Sequence, residues 1–252
     1  MILDTSITLH RRGSGRCLVL LHCLGVDRHF WDFVAPLSRE LMLVSYDLPG
    51  HGETPVPNGP YNIEDLAAQL AGLLKRDGIA RAHIVGISLG GLIAQSFAAT
   101  HPQTVDRLVL IDTTARYTEE LRAMWAVRAA GAREDGVASL IDGLLKIWFT
   151  PQSIADDTAA VRYVRSALRG LRARLRGARR CRPAAACRQD RRADADRMRR
   201  RRHPELPHAA RWLTENIRGA HLEWIAKAKH ASVIERPDQA LALLRNFLLA
   251  KS

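Results

Sequence analysis

The chain has 252 residues, 47% of them hydrophobic, which supports a sizeable core and excludes wholesale disorder. No apolar run reaches the roughly 18 residues needed to span a bilayer, and the four cysteines match neither a disulfide framework nor a zinc spacing. Net charge is +12, but residues 162–202 hold 17 Arg and three Asp, a balance of +14, so the remainder carries −2 and reads as an ordinary globular chain.

Residues 2–10 alternate and predict a strand, followed by a turn at 11–15. Residues 17–21 form a continuous apolar run, as in a buried strand. Helical spacing covers 30–41, a strand 41–46, and an amphipathic helix 62–76. A strand at 82–87, a helix at 89–100 and a strand at 105–111 follow. Strands alternating with helices predict a mostly parallel sheet covered on both faces. Residues 116–165 carry no strand signal and fit helices at 118–130, 134–149 and 154–165, with Pro151 separating the last two. Further on, the pattern predicts a helix at 209–217, a strand at 221–225 and a helix at 237–249. The first 16 residues lack the apolar core and cleavage site of a secretory signal, which, with unpaired cysteines, predicts a cytoplasmic protein without a membrane partner.

Gly86-Ile87-Ser88-Leu89-Gly90 falls between a strand and a helix. In this pattern a nucleophilic serine occupies a strained turn, and small residues two places either side let the chain pass close by. The helix beginning there favours negative charge beside the serine. His22-Cys23-Leu24-Gly25 ends the strand at 17–21. Its backbone could supply one oxyanion donor, and the amides of Leu24 and Leu89 form the natural pair. His230 lies after the last strand signal and before the final helix, where a general base for Ser88 belongs; His101, His208 and His221 fit less well. Trp31 and Trp148 are candidate walls of a substrate pocket; the alternative for both is a place in the core.

Together these segments resemble the α/β-hydrolase superfamily, and more closely its 3-oxoadipate enol-lactonase-like group. The resemblance rests on His22-Cys23-Leu24-Gly25-Val26-Asp27 with Trp31-Asp32, and on Tyr46-Asp47 with Gly50-His51-Gly52. It continues in the Ser88 motif with Gly91, in Leu108 to Ala115, in Trp148-Phe149-Thr150, and in His230 with Glu235-Arg236-Pro237. It implies an α/β-hydrolase core at 1–115 and 209–252, a helical cap at 116–165, and a Ser, Asp, His triad in chain order. Ser88 would be the nucleophile and His230 the base. The substrate would be a small-molecule ester or lactone, such as an enol-lactone of aromatic catabolism, with no metal or organic cofactor.

The resemblance also implies a strand near residues 190–200 bearing the triad acid. Residues 165–216 contain no Val, Ile, Phe or Tyr, and Arg197 to Arg202 could enter a buried strand only by burying several unpaired charges. That strand is therefore expected to be disrupted or missing. Asp112, at the end of the strand at 105–111, is the substitute acid; Asp194 and Asp196 are weaker candidates. Three readings of 166–208 stand open: a disordered polyanion-binding insert, a divergent cap segment, or a stretch translated out of frame. Codon arithmetic gives the third some content. With CGN codons for Arg199 to Arg202, reading one base later from Met198 permits Cys-Gly-Gly-Asp-Asp-Thr-Pro-Ser, which resembles the turn bearing the triad Asp. The rival to an enzyme is a hydrolase scaffold without its acid whose Arg-rich segment binds nucleic acid or another polyanion.

Overall fold

The computed structural model describes residues 3–4, 6–115, 117–177 and 205–250. Five strands, β1 (His10–Arg12), β2 (Arg16–Leu21), β3 (Leu41–Ser45), β4 (Ala82–Ile87) and β5 (Val105–Ile111), form one sheet in the order β1-β3-β2-β4-β5. β1 runs antiparallel to β3, and the other pairs are parallel. Parallel neighbours need crossovers. A 3-10 helix (Arg28–Arg39) joins β2 to β3, α1 (Ile63–Arg76) joins β3 to β4, and α2 (Leu89–Thr100) joins β4 to β5. α1 starts on a capping box, Asn62 accepting from Asp65 N while Asp65 accepts from Asn62 N.

The two-residue period of the strands sorts their side chains onto two faces. Leu18, Leu20, Val85 and Ile87 pack with Phe30, Val34 and Leu37 of the 3-10 helix and with Leu244 and Leu248 of α9 (Pro237–Leu248). Val19, Leu21 and Ile84 point the other way, onto Leu66, Leu70 and Leu73 of α1 and Ile93 and Phe97 of α2. Burying each such side chain stabilises the fold by about 1.5–3 kcal/mol. After β5 come α3 (Glu119–Glu134), a 3-10 turn (Val137–Leu140), α4 (Ile141–Trp148), α5 (Pro151–Ala155) and α6 (Ala159–Gly177). α7 (Glu205–Asn216) and α8 (Ser232–Glu235) precede α9.

Several expectations need correction. The alternating segment at 2–10 joins the sheet only at its end, and β1 extends through Arg12 into what the sequence reads as turn. The helix at 30–41 is a 3-10 helix with Pro36 inside it. The stretch 134–149 is a 3-10 turn (Val137–Leu140) running into α4, and Gly136, at φ +81°, separates it from α3, which reaches Glu134. Pro151 does lie between two helices, α4 and α6, but there it starts the short α5, where its missing N–H costs no hydrogen bond. The strand at 221–225 does not form. A strand needs a neighbour to bond with, and no described strand lies beyond β5. β5 itself bears this out: it is as apolar as β4, yet all its residues are only half-buried whereas β4 is buried throughout. The strand expected near 190–200, Asp194, Asp196 and most of the Arg-rich segment lie outside the described residues.

Candidate active site

The chain leaves β2 toward β3 on one side and later enters β4 on the other. In open α/β sheets the crevice at the carboxyl ends of strands beside such a reversal is where ligands bind. β2 ends in the turn containing Leu24, and β4 ends in Ser88.

Ser88 stands at φ +52° and ψ −112° between β4 and α2. A left-handed non-glycine residue costs about 1–3 kcal/mol. The surrounding glycines leave no alternative. A Cβ on Gly86 would lie 2.2 Å from Gly90 O, and one on Gly90 would lie 2.1 Å from Leu21 O. Ser88 N donates to Ile111 O at 2.9 Å, and Ser88 O accepts from Thr113 Oγ1 at 2.8 Å. Thr113 was not singled out by sequence; only its place two residues past the end of β5 hinted at it.

Asp112 occupies the matching position on the next strand. Ile87 and Ile111 are register partners, so Ser88 and Asp112 follow them side by side, and Asp112 is also left-handed, at φ +44°. Its Oδ2 accepts from Ser232 Oγ at 2.6 Å. Burial pushes the Asp112 carboxyl up to about 6 despite the Ser232 hydrogen bonds, which act to lower it. Cys23 is close enough to feel the Asp112 charge, and burial pushes its thiol far up, so it is not a thiolate nucleophile.

His230 is half-buried, with the Trp148 ring edge-on at 5.6 Å. Burial, then the positive charge of Arg128, lowers it to about 4. Among the described residues its ring makes no hydrogen bond, to Ser88 or Asp112 or any other group. Arg128, on α3, lies over the Trp125 ring at 5.0 Å and has no carboxylate partner among the described residues.

The amides of Leu24 and Leu89 donate to no described residue. Leu89 is the first residue of α2, where helical geometry leaves the N–H free. The Leu24 turn is braced from two sides. His22, fully buried, accepts from Leu48 N through Nε2 at 2.9 Å, so its Nδ1–H donates to Cys23 O at 2.8 Å. Burial lowers His22 to about 3, which keeps it neutral and structural. On the other side, Tyr163 of α6 donates to Asp27 Oδ1 at 2.8 Å.

Asp47 ties the next loop. Burial pushes its carboxyl up, but hydrogen bonds from Arg28 N and Glu53 N and the Arg28 charge outweigh this and hold it below the usual range. Gly52 is required here, since its Cβ would fall 2.0 Å from the Asp47 carboxyl carbon. Trp31, 3% exposed, packs with Phe30 and Phe33 as core. Trp148, 6% exposed, is also core, yet one ring edge meets His230. Among the described residues no cluster of His, Cys, Asp and Glu could hold a metal, and no helix is long and apolar enough to cross a membrane.

Residues 18–243 match the Alpha/beta hydrolase family, and the chain belongs to it. It is 31% identical over 145 residues to 3-oxoadipate enol-lactonase 2 of Acinetobacter baylyi, covering 57% of this chain and 54% of that one. It is 30% identical over 163 residues to 2-hydroxy-6-oxo-2,4-heptadienoate hydrolase of Pseudomonas putida, covering 62% and 57%. The chain thus spans about half the length of these curated relatives. The crystal structure of the enol-lactonase from Burkholderia xenovorans LB400 superposes with a TM-score of 0.75 at 28% identity, over 97% of this chain and 96% of that one. The α/β-hydrolase fold with a mostly parallel sheet is therefore established.

Proposed function

We propose that this chain hydrolyses a carboxylic ester or lactone through an acyl-enzyme on Ser88. The observation that carries this reading is the strained, left-handed Ser88 at the end of β4, held by glycines that tolerate no Cβ. Ser88 Oγ attacks the carbonyl carbon while His230 takes its proton. The carbonyl electron pair moves onto oxygen, and the alkoxide rests on the free amides of Leu24 and Leu89. When the alkoxide collapses, the alcohol or enol leaves with the proton from His230. Water, activated by His230, then releases the acid and restores Ser88. Ser88 and His230 close to hydrogen-bond distance when substrate fills the site; such bonds are often long without substrate. Asp112 is the acid in this reading, reaching the His230 loop through Ser232.

In this reading the helices of residues 116–165 form the cap, the core comprises 1–115 and 209–252, and Trp148 is a wall of the pocket. Arg128 adds a positive charge beside the base, which suits a substrate bearing a carboxylate. An enol-lactone of aromatic catabolism fits this reading, and two of the relatives are named enol-lactonases. The steps need only side chains, amides and water.

The test is p-nitrophenyl acetate hydrolysis by the wild type beside Ser88→Ala. Turnover that disappears in the variant is expected. Equal background rates in two folded samples would end the catalytic reading. They would favour an impaired scaffold whose Arg-rich segment binds polyanions, recognisable by a steep salt dependence.

A further inference from the structure

Glu235 lies five residues beyond His230, buried where the cap meets the core. Its carboxylate receives four hydrogen bonds. Oε1 accepts from Thr150 N at 2.7 Å, from Thr150 Oγ1 at 2.6 Å and from Ser153 Oγ at 2.6 Å. Oε2 accepts from Lys229 N at 2.8 Å. Burial pushes this carboxyl up, but the four donors outweigh it and hold it below its usual range, so it is charged at neutral pH. Charge-assisted hydrogen bonds in a dry setting are the strong ones.

The division of donors is informative. Oε1 serves only the cap, at the junction of α4 and α5. Oε2 serves only the residue preceding His230. Lys229 also donates from Nζ to Lys146 O at 2.8 Å, and on the other side of the histidine Ala231 N donates to Trp148 O at 3.0 Å. Both neighbours of His230 are therefore fastened to the cap, while the imidazole makes no hydrogen bond of its own to a described residue. Glu235 is not among the charges that shift His230. Its influence on the ring is therefore through position alone.

We propose that Glu235 is the positioning residue for His230, holding the base and the root of the cap as one unit. This rests on the Ser88–His230 reading. Glu235→Gln is the diagnostic variant. Gln offers one oxygen and one NH2, so either Lys229 N or the cap donors face a donor instead of an acceptor. A misplacement of about 1 Å costs about 10²-fold in rate. Glu235→Gln is expected to lower kcat for p-nitrophenyl acetate by about that factor, with KM and the acidic limb of the pH profile unchanged. Should the variant fail to fold, Ser153→Ala removes one cap donor and is expected to lower kcat in the same direction. Unchanged kcat with a lower Tm would overturn the proposal, leaving Glu235 merely structural. A shifted acidic limb would overturn it too, since the effect would then be electrostatic. If the wild type shows no Ser88-dependent turnover, the hydrolase reading fails separately. The 1H–15N signals of the His230 ring then decide: displaced in Glu235→Gln they support the positioning role, unmoved they refute it.

Discussion

Ser232 donates its hydroxyl to Asp112 at 2.6 Å, joining the loop that carries His230 to the end of β5. Asp112 therefore meets the His230 loop two residues beyond His230. This relationship frames what the acid can do, and pH separates the possibilities.

Burial raises Asp112 from 3.8 to about 6, whereas burial and Arg128 lower His230 from 6.5 to about 4. If Asp112 must be ionised for catalysis, kcat/KM rises with pH through about 6. If only His230 matters, it rises through about 4. The expected wild-type limb lies near 6, moving toward 4 at a lower plateau in Asp112→Asn. A limb near 4 in both proteins removes Asp112 from the mechanism.

Arg128 supplies a positive charge with no carboxylate partner among the described residues, close to His230. Arg128→Gln should raise the His230 titration toward its ordinary 6.5, because the repelling cation is gone. The same variant should lose about tenfold or more in kcat/KM for a carboxylate-bearing ester relative to a neutral one, the worth of about 1.4 kcal/mol. An unaltered ratio for paired substrates would show that Arg128 does not recognise the substrate's charge.

His83 on β4 is fully buried, and neither ring nitrogen has a hydrogen-bond partner among the described residues. Burial lowers its proton affinity below the usual 6.5. The unfolded chain then binds a proton the folded one resists, so stability falls as pH drops below 6.5; His22, held at about 3, acts in the same direction. Asp112 opposes them between about 6 and 3.8. His83→Leu should stabilise the fold by about 1–3 kcal/mol at neutral pH, and by more at pH 5. Urea titrations at both pH values check it; destabilisation at both would mean His83 has a partner worth keeping.

The elbow leaves no room for growth. Gly90→Ala, with its Cβ 2.1 Å from Leu21 O, should destabilise the chain by about 3 kcal/mol or more, or prevent folding. A melting temperature equal to the wild type would refute this geometry.

The half-buried β5 and the missing strand at 221–225 bear on the Arg-rich segment. A sheet continuing past β5 would cover that edge with Val and Ile, residues absent from 165–216. If the out-of-frame reading is right, sequencing the coding DNA across 166–208 will find a compensating insertion and deletion. The restored frame would then encode an apolar strand ending in an Asp-bearing turn. An intact frame there refutes it.

Much of the core was legible because its signals are local. The bounds of β4, α2 and β5 agree with the apolar runs and turn residues that define them. The Ser88 strain follows from glycine spacing alone. The isolated strand at 221–225 misled, because periodicity reports what a segment could pair with, not whether a neighbour exists. Thr113, Tyr163, Ser232 and Glu235 were invisible as site residues because each acts on a partner 25 to 136 positions away.

Lys229 and Ala231 are fastened directly to Lys146 and Trp148, and Lys229 through Glu235 to Thr150 and Ser153, so the His230 loop and the stretch 141–155 are tied together. A chimera that exchanged residues 141–155 for those of a relative would also exchange the anchorage of His230, the proposed proton acceptor. Grafts that carry the stretch 141–155 together with 229–235 should retain turnover where grafts of either alone lose it. Diversification of such a protein would then proceed by trading these two stretches as a pair, with the elbow left untouched.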